Sequence, residues 1–447
     1  MTLDWDQIGA ETVARLRELV RFDTTNLPGR ELPLVQHLAE TLRAEGLSPE
    51  VLESGPERAN LAVRLESDGS ARPLLLLSHL DVVPAEPQHW THPPFAAELA
   101  GGYVWGRGAI DCKLTTAVQV QVLLMCRRLG LPMQRDLVLV AAADEELGGR
   151  YGVEWLVAQR PDLFDAEFGL NEGGGFAIEV DGRPLYTCQV GEKGGAYLDL
   201  VAHGRPGHSS VPHAENPIVH LGGVLEMLGG KLPHRVVAST RSFFEAAAAA
   251  QRRPEVAQLL LDLLDPNRQE EALARLPADE ANRLMFDAML RNTCAPTILE
   301  AGVKRNVIPS TAKVELSGRP LPGVDEAAFL QEVRELVGDK VEFKMAKFRS
   351  GLEFPHQTPL FEAVTAAMRR WEPGAAVVPY MQTGGTDARF LGGCPMIVYG
   401  FVPMRREPGL HFFELCHGHD ERVSTANVLF AVQVLFTAAC RLNGIDI

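Results

Sequence analysis

The amino-acid sequence predicts an α/β protein with a mainly parallel sheet, into which a smaller α+β domain is inserted. Continuous apolar runs, PLLLLS (73–78) and DLVLVAAA (136–143), are typical of strands covered on both faces. Helical and strand-like segments alternate over the first 190 residues. The segment GEKGGAYLDLVAHG (191–204) instead alternates apolar and polar residues, which is typical of a half-exposed antiparallel strand. A chain of 447 residues is long enough for two or three domains.

The predicted elements follow the chain in order. Helices are expected at 6–22, 30–46 and 113–129, and strands at 50–54, 60–65, 73–78 and 136–142. Beyond residue 191, further alternating strands and helical stretches are expected, the strands at 310–323 and 341–346 and the helices within 241–253 and 255–292. Helix and apolar strand resume after about residue 347. We therefore expect 1–191 and 346–447 to form one domain and 192–345 to be an insertion with its own sheet.

Composition excludes several classes of protein. The net charge of −15 argues against nucleic acid or an anionic membrane surface as a partner. The unbroken apolar runs are far shorter than the roughly 18 residues that a membrane-spanning helix needs. The N-terminal segment has the spacing of an amphipathic helix and not the pattern of a signal peptide. Seven scattered cysteines, odd in number and without a CxxC pair, indicate reduced thiols and a cytoplasmic location.

Histidines and carboxylates are concentrated in five short stretches at the ends of apolar segments or in glycine-rich turns. They are SHLDVV (78–83), GRGAIDCK (106–113), DEELGG (144–149), NEGGG (171–175) and CHGHDE (416–421). In SHLDVV, a leucine run ends in His79 and Asp81, which are costly to bury unless they are paired. Residues i and i+2 of an extended chain face the same way, so Asp81 can orient the His79 ring. Together the stretches supply the ligands preferred by zinc, and less specifically by manganese or cobalt.

Each stretch taken alone has an ordinary interpretation. A lone histidine is more often a hydrogen-bonded core residue, the acidic run at 144–146 resembles a helix start, and NEGGG resembles a turn. GRGAID approaches a dinucleotide fingerprint, but Asp111 stands at the third glycine position and excludes a nucleotide site. Five such stretches together favour a metal site, because a cation compensates the desolvation of its buried ligands.

These motifs resemble the family of two-zinc exopeptidases and amidohydrolases that includes aminoacylase, acetylornithine deacetylase, succinyl-diaminopimelate desuccinylase and the glutamate and yeast vacuolar carboxypeptidases. The similar segments are SHLDVVP, HWTHPPF, GYVWGRGAIDCK, DEELGG, GRPGHSS, RNVIPSTAKVELSGRP, GGTDARF and HGHDE. The resemblance implies a zinc-exopeptidase-like catalytic domain in two parts, 1–191 and 346–447. It implies that residues 192–345 form a lid or dimerisation domain.

The resemblance also implies a site for two divalent metal ions. His79 and Glu172 would bind one ion. Glu146 and His417 would bind the other, and Asp111 would bridge the two. Zinc is the implied metal, although sets of histidine and carboxylate also suit cobalt and manganese.

Three further roles follow from the same resemblance. The HGHDE segment offers two histidines, and His417 is chosen over His419 because the family pattern reads His-x-x-(Asp/Asn)-Glu. Asp81 would orient His79. Glu145 would be the general base that takes a proton from water and passes it to the leaving amine.

The insertion is expected to contribute to catalysis as well. In the family, the histidine equivalent to His208 stabilises the tetrahedral oxyanion, commonly across a homodimer interface. Asn306 and Arg319 match family positions that contact substrate, and Arg389 together with Gly385 and Thr386 is a further candidate site for a substrate anion. An arginine at such a position can hold a substrate carboxylate bidentately. Cys112 departs from the family pattern and is interpreted as a packing residue.

The sequence therefore predicts a di-metal hydrolase that cleaves the amide bond of N-acyl amino acids or short peptides. The alternative is a metal-binding scaffold of the same fold with little or no turnover. Hydrolysis by a serine or cysteine nucleophile is disfavoured, since the sequence lacks a GxSxG motif. The acyl group and the preferred amino acid stay open.

Overall fold

The computed structural model describes residues 3–407, 409–410 and 412–447. The chain divides into two compact units. The first comprises Met1–Val190, Phe354–Pro379 and Thr386–Ile447. The second comprises Gly191–Glu353 together with Tyr380–Gly385.

The first unit is built on a mixed sheet with a parallel centre. Four parallel strands lie side by side in the order Arg135–Ala142, Ala71–His79, Phe168–Asn171 and Ile397–Gly400. Antiparallel strands extend both sides, Arg58–Leu65 and Glu50–Gly55 on one and Arg183–Glu192 and Ala177–Val180 on the other. Ala376–Gln382 also pairs with Arg183–Glu192. A separate small sheet contains Glu98–Ala100, Tyr103–Trp105 and Arg422–Ser424. The predicted α/β class with a mainly parallel central sheet is confirmed.

Helices cover both faces of this sheet. The α-helices are Trp5–Arg21, Glu31–Ala44, Lys113–Leu129, Val153–Gln159, Pro359–Trp371, Phe412–Leu415 and Thr425–Leu442. Short 3-10 helices are Pro87–His89, Glu145–Leu147, Pro161–Phe164 and Asp387–Phe390.

The leucine run is continuous because it faces a core on each side. Leu74 and Leu76 pack in one core with residues that include Leu16, Leu38, Leu123 and Leu435. Leu75 and Leu77 pack in the other with residues that include Val138, Val140, Leu156 and Phe164. A strand buried on both faces loses the alternation of a half-exposed strand.

The last helix, Thr425–Leu442, is long and apolar enough to cross a membrane by length and composition alone. However, 78% of that window is buried inside the protein, as in the core helix of a folded domain. It packs against the helices Trp5–Arg21, Lys113–Leu129 and Pro359–Trp371. Its apolar character is therefore explained by the core of the first unit.

The second unit contains a four-stranded antiparallel sheet in the order Thr293–Ala301, Thr311–Arg319, Gly195–His203 and Glu342–Arg349. Its helices are Pro217–Met227, Ala238–Ala249, Pro254–Asp262, Gln269–Arg275, Glu280–Met289 and Glu326–Val337. Short strand pairs join Gly207–His208 to Val307–Ile308 and Leu352–Glu353 to the end of Arg183–Glu192. The helical region predicted at 255–292 is three helices, because Pro266 and Pro277 cannot continue a helix.

Candidate metal centre

The parallel strands of the first unit bring ionisable side chains to one edge of the sheet. The strand that ends at His79 lies between the strands that precede Glu145, Glu146 and Glu172. The carboxyl ends of parallel strands point to the same edge, where α/β sheets carry their sites. The topology therefore places these four side chains together.

Asp111 lies between two histidines. Its Oδ1 is 3.1 Å from Nε2 of His79, and its Oδ2 is 3.2 Å from Nε2 of His417. Nε2 of His417 is also 3.2 Å from Oε1 of Glu146. Each oxygen of one carboxylate thus faces a different imidazole, which is the arrangement required of a carboxylate that bridges two ions.

The predicted ligands fall into groups of metal-binding atoms. One group contains His79, Glu145 and Glu172, and another contains Asp111, Glu146 and His417; within each, the ligand atoms lie within 4.8 Å of one another. The contact between His79 and Asp111 joins the two groups. All five side chains predicted as ligands are therefore gathered at one place.

The cluster concentrates carboxylates in a partly buried place, with His79 and Glu145 buried and His417 exposed. Burial, together with nearby Asp111, raises the pKa of Glu172 well above its usual range. Burial likewise raises the pKa of Glu146 to about 7. Burial alone would raise the pKa of Asp111 as well, but hydrogen bonds with His417 and His79 hold it well below its usual range. A divalent cation would stabilise this acidic cluster, and the donor set fits zinc, cobalt or manganese.

Asp81 connects His79 to the turn that carries the acidic residues. Nδ1 of His79 lies 3.0 Å from the Asp81 carbonyl oxygen and 3.4 Å from its carboxylate. The carboxylate accepts hydrogen bonds from the backbone N–H groups of Glu145 (3.0 Å) and Glu146 (3.1 Å) and from Asn26 Nδ2 (2.9 Å). The nearer acceptor for the imidazole is thus the Asp81 carbonyl, and the carboxylate lies somewhat farther away.

Glu145 is in contact with Arg389. The guanidinium Nη1 is 2.8 Å from the Glu145 carboxylate, and Nη2 donates to the Glu145 carbonyl at 2.9 Å. Thr386 accepts hydrogen bonds from Asn171 Nδ2 (3.1 Å) and Ala388 N (3.2 Å). The sequence assigned Arg389 and Thr386 to substrate binding, and in this structure Arg389 already holds the predicted general base.

Comparison with known proteins identifies the family. The family model described as Peptidase family M20/M25/M40 matches residues 75–441. The chain belongs to this family. Membership confirms the predicted resemblance and the predicted class of enzyme, a hydrolase of the exopeptidase and amidohydrolase type.

Relatives of this M20 family chain extend over nearly its whole length. Aminoacylase-1 of Homo sapiens is 27% identical over 438 residues, which cover 95% of this chain and 93% of that protein. The M20 family metallo-carboxypeptidase Sso-CP2 from Sulfolobus solfataricus has a TM-score of 0.72 at 18% identity, covering 97% of this chain and 100% of that one. The YXEP protein of Bacillus subtilis, a dinuclear metal binding peptidase from the M20 family, has a TM-score of 0.61 at 14% identity, with coverage of 99% and 100%. The two structures show the shared fold.

The two remaining candidates in the motifs of this M20 chain differ in their surroundings. His419 contacts Glu86 at 3.1 Å, its ring lies beside that of His89 with centroids 5.1 Å apart, and it belongs to neither of the groups described above. Cys112 exchanges hydrogen bonds with the His79 backbone, at 3.2 Å from N and 3.3 Å from O. Burial raises the pKa of the Cys112 thiol to about 12, so it is neutral. Cys112 therefore fixes the His79 backbone.

The second unit carries four residues assigned to substrate or oxyanion binding. His208 is exposed, and its Nδ1 lies 2.7 Å from Ser210 Oγ. The carbonyl of Asn306 accepts a hydrogen bond from Ser209 N at 3.1 Å, so the segments of His208 and Asn306 are adjacent. Arg319 ends its strand, and Gly385 ends the segment Tyr380–Gly385. Their roles in the M20 reaction stay predictions.

Sequence reasoning missed several buried residues that support this centre. Asn26, Arg58, Asp144, Arg107 and Glu421 are at most 4% exposed and contact the segments that carry the ligands. Arg107 lies in GRGAIDCK and Glu421 in CHGHDE, so their place in these motifs could have identified them from the sequence. The loop around Asn26 contains no such motif.

Proposed function

We propose that this chain is a cytoplasmic di-metal hydrolase that cleaves the amide bond of N-acyl amino acids or short peptides. The observation that carries the proposal is Asp111, whose two carboxylate oxygens face His79 and His417 inside a partly buried acidic cluster. The likeness to human aminoacylase-1 supports the substrate class, and the likeness to a dinuclear M20 peptidase supports two ions.

In this proposal the two ions, zinc by preference, would have separate terminal ligands. His79 and Glu172 would hold one, Glu146 and His417 would hold the other, and Asp111 would contribute to both. When bound, two divalent ions lower the pKa of a shared water and polarise the scissile carbonyl.

Glu145 is the proposed general base. It groups with His79 and Glu172, while its neighbour Glu146 groups with Asp111 and His417, so the two adjacent carboxylates point to different places. In this proposal Glu146 is the metal ligand, and the Glu145 carboxylate takes a proton from water and delivers it to the leaving amine. Arg389 holds one Glu145 oxygen and fixes the direction of the carboxylate.

The remaining proposed roles concern the substrate and the oxyanion. His208 would donate to the oxyanion, and a substrate carboxylate would be held by residues drawn from Asn306, Arg319, Gly385, Thr386 and Arg389. A homodimer is proposed because Thr293–Ala301 is an edge strand with exposed apolar side chains at Ile298 and Leu299. An exposed apolar edge strand of this kind favours association.

The deciding experiment is a hydrolysis screen of N-acyl amino acids and dipeptides. Protein stripped by chelator should be inactive and should regain activity when zinc, cobalt or manganese is added back. Activity that survives full removal of metal would overturn the proposed chemistry. Two ions bound without turnover on any compound would favour the scaffold alternative.

Metal binding should release protons. Hydrogen bonds with Asp111 and Glu146 raise the pKa of His417 to about 10, so its imidazole carries a proton in the metal-free protein near neutral pH. Burial also raises the pKa of Glu172. Because a ligand must lose its proton to bind metal, affinity should increase as the pH rises. Calorimetric titration with zinc in buffers of different ionisation enthalpy measures the protons released.

The control for this titration is a pair of histidine variants. His417→Ala should release fewer protons than the wild type, whereas His419→Ala should release the same number, since His419 contacts Glu86 and not the cluster. Equal release by the wild type and His417→Ala would contradict the assignment of His417.

A further inference from the structure

We propose that Arg107 and Glu421 are positioning residues, which hold the bridging carboxylate of Asp111 and the imidazole of His417 in register with each other. The inference deepens the proposed function and rests on it. Arg107 is 2% exposed and Glu421 is fully buried, and their side chains form an ion pair of 2.7 Å. Neither residue belongs to the groups of metal-binding atoms described above.

Glu421 fixes the turn that carries Asp111. Its Oε1 accepts hydrogen bonds from the backbone N–H groups of Ile110 (2.7 Å) and Asp111 (3.1 Å). Its Oε2 accepts one from Gly108 N at 3.0 Å. Three backbone donors on one buried carboxylate leave the turn little freedom, because each lost bond would leave a buried polar group unpaired.

Arg107 fixes the segment that carries His417. Its Nη2 donates to the carbonyl oxygens of His417 (3.2 Å) and Gly418 (3.0 Å). The backbone of His417 has a φ of +63°. This left-handed conformation is uncommon for residues other than glycine and persists where the surrounding structure holds it. The two carbonyl contacts supply that restraint.

The ion pair therefore joins two segments that are distant in the sequence. Both segments contribute to the ion position proposed for Glu146 and His417. Asp111 belongs to the turn held by Glu421, and His417 belongs to the turn held by Arg107. If the pair is broken, the distance between the Asp111 carboxylate and the His417 imidazole is no longer fixed. An ion that needs both Asp111 and His417 should then bind less tightly. The other position shares only Asp111 with it and keeps His79 and Glu172, so it should be affected less.

The test measures metal binding by Glu421→Gln in the full-length protein. The amide keeps the shape of the side chain but loses the charge that pairs with Arg107. We expect one of the two ions to bind about 10–100-fold more weakly, the range usual for partners that orient metal ligands. Equilibrium dialysis with zinc measures both affinities, and electron paramagnetic resonance of the cobalt-loaded protein reports whether the two ions are still magnetically coupled.

Controls separate positioning from folding. Glu50→Gln removes a partner of the exposed pair Glu50–Arg160 and should bind both ions like the wild type. Arg107→Lys keeps the charge but not the fork of donors, so it should weaken the same ion and gives a second variant if Glu421→Gln does not fold. Metal-free melting temperatures are compared for every variant.

Each outcome decides the proposal. Selective weakening of one ion in a folded variant, with loss of coupling, supports it. Wild-type affinities and coupling in either folded variant overturn it, as does a melting temperature that falls while both ions weaken equally. A wild-type chain that binds no pair of metal ions would instead overturn the proposed function.

Discussion

Replacing Glu145 with glutamine should lower kcat by about 10²–10⁴-fold or more while the protein still folds and binds two metal ions. The amide has nearly the size of the carboxylate, but it cannot take a proton from water. Glu145 is 9% exposed, and its carboxylate lies beside the ligand atoms of His79 and Glu172. Bulk water therefore cannot reach this place to act as the base instead. Steady-state kinetics on the substrate found by the screen, together with elemental analysis, measure the two quantities.

The matched control is Glu40→Gln, which makes the same chemical change on an exposed helix position. It should leave kcat, KM and metal content unchanged. Full activity of Glu145→Gln would show that another group is the base. Loss of metal together with activity would show that Glu145 acts as a ligand.

The strand ends were predictable because burial on both faces leaves a local pattern. Leu74–Leu77 are apolar without alternation, so the polar residues that follow them mark the edge of the sheet. His79 follows one such apolar run, and Glu145 and Glu146 follow the apolar run of the neighbouring strand. A parallel sheet then brings these residues together without any information about their contacts.

The supporting contacts were not predictable, because each depends on a partner far away in the sequence. Asn26 lies in TTNLPG, which has the composition of an ordinary turn. Its amide donates to Asp81 and to Asp144, whose positions only the fold determines. Arg389 was interpreted as a grip for a substrate anion, and the anion that it contacts here is Glu145.

Asn26 belongs to a buried network that extends behind the candidate centre. Arg58 forms hydrogen bonds of 2.7 and 2.9 Å with the two oxygens of Glu31, and one of 2.9 Å with Asp144. Asn26 bridges Asp144 and Asp81 at 3.0 and 2.9 Å. One guanidinium thus compensates two buried carboxylates, and the chain of contacts ends at the residue that orients His79.

Replacing Arg58 with methionine should therefore lower the free energy of unfolding by about 3–5 kcal/mol, because Glu31 and Asp144 lose their buried cation. The loss should widen as the pH rises above about 7. Burial already raises the pKa of Glu31 to about 7 despite Arg58, and without Arg58 that pKa rises further. When folding raises the pKa of a carboxyl group, the folded protein becomes less stable as the pH rises from the unfolded-state pKa of that group to its folded-state pKa. Urea unfolding of chelated protein at about pH 6 and about pH 9 measures both effects.

Arg160→Met tests whether burial is the cause. Arg160 pairs with Glu50 and Asp162 at distances of 2.7 and 2.9 Å, similar to those of Arg58, but both of its partners are exposed. Its replacement should cost at most about 1 kcal/mol at either pH, since water and counterions stabilise the freed carboxylates. If Arg58→Met lowered the free energy of unfolding no more than Arg160→Met, Glu31 and Asp144 would not need a buried cation. The network behind the candidate metal centre would then not stabilise the fold.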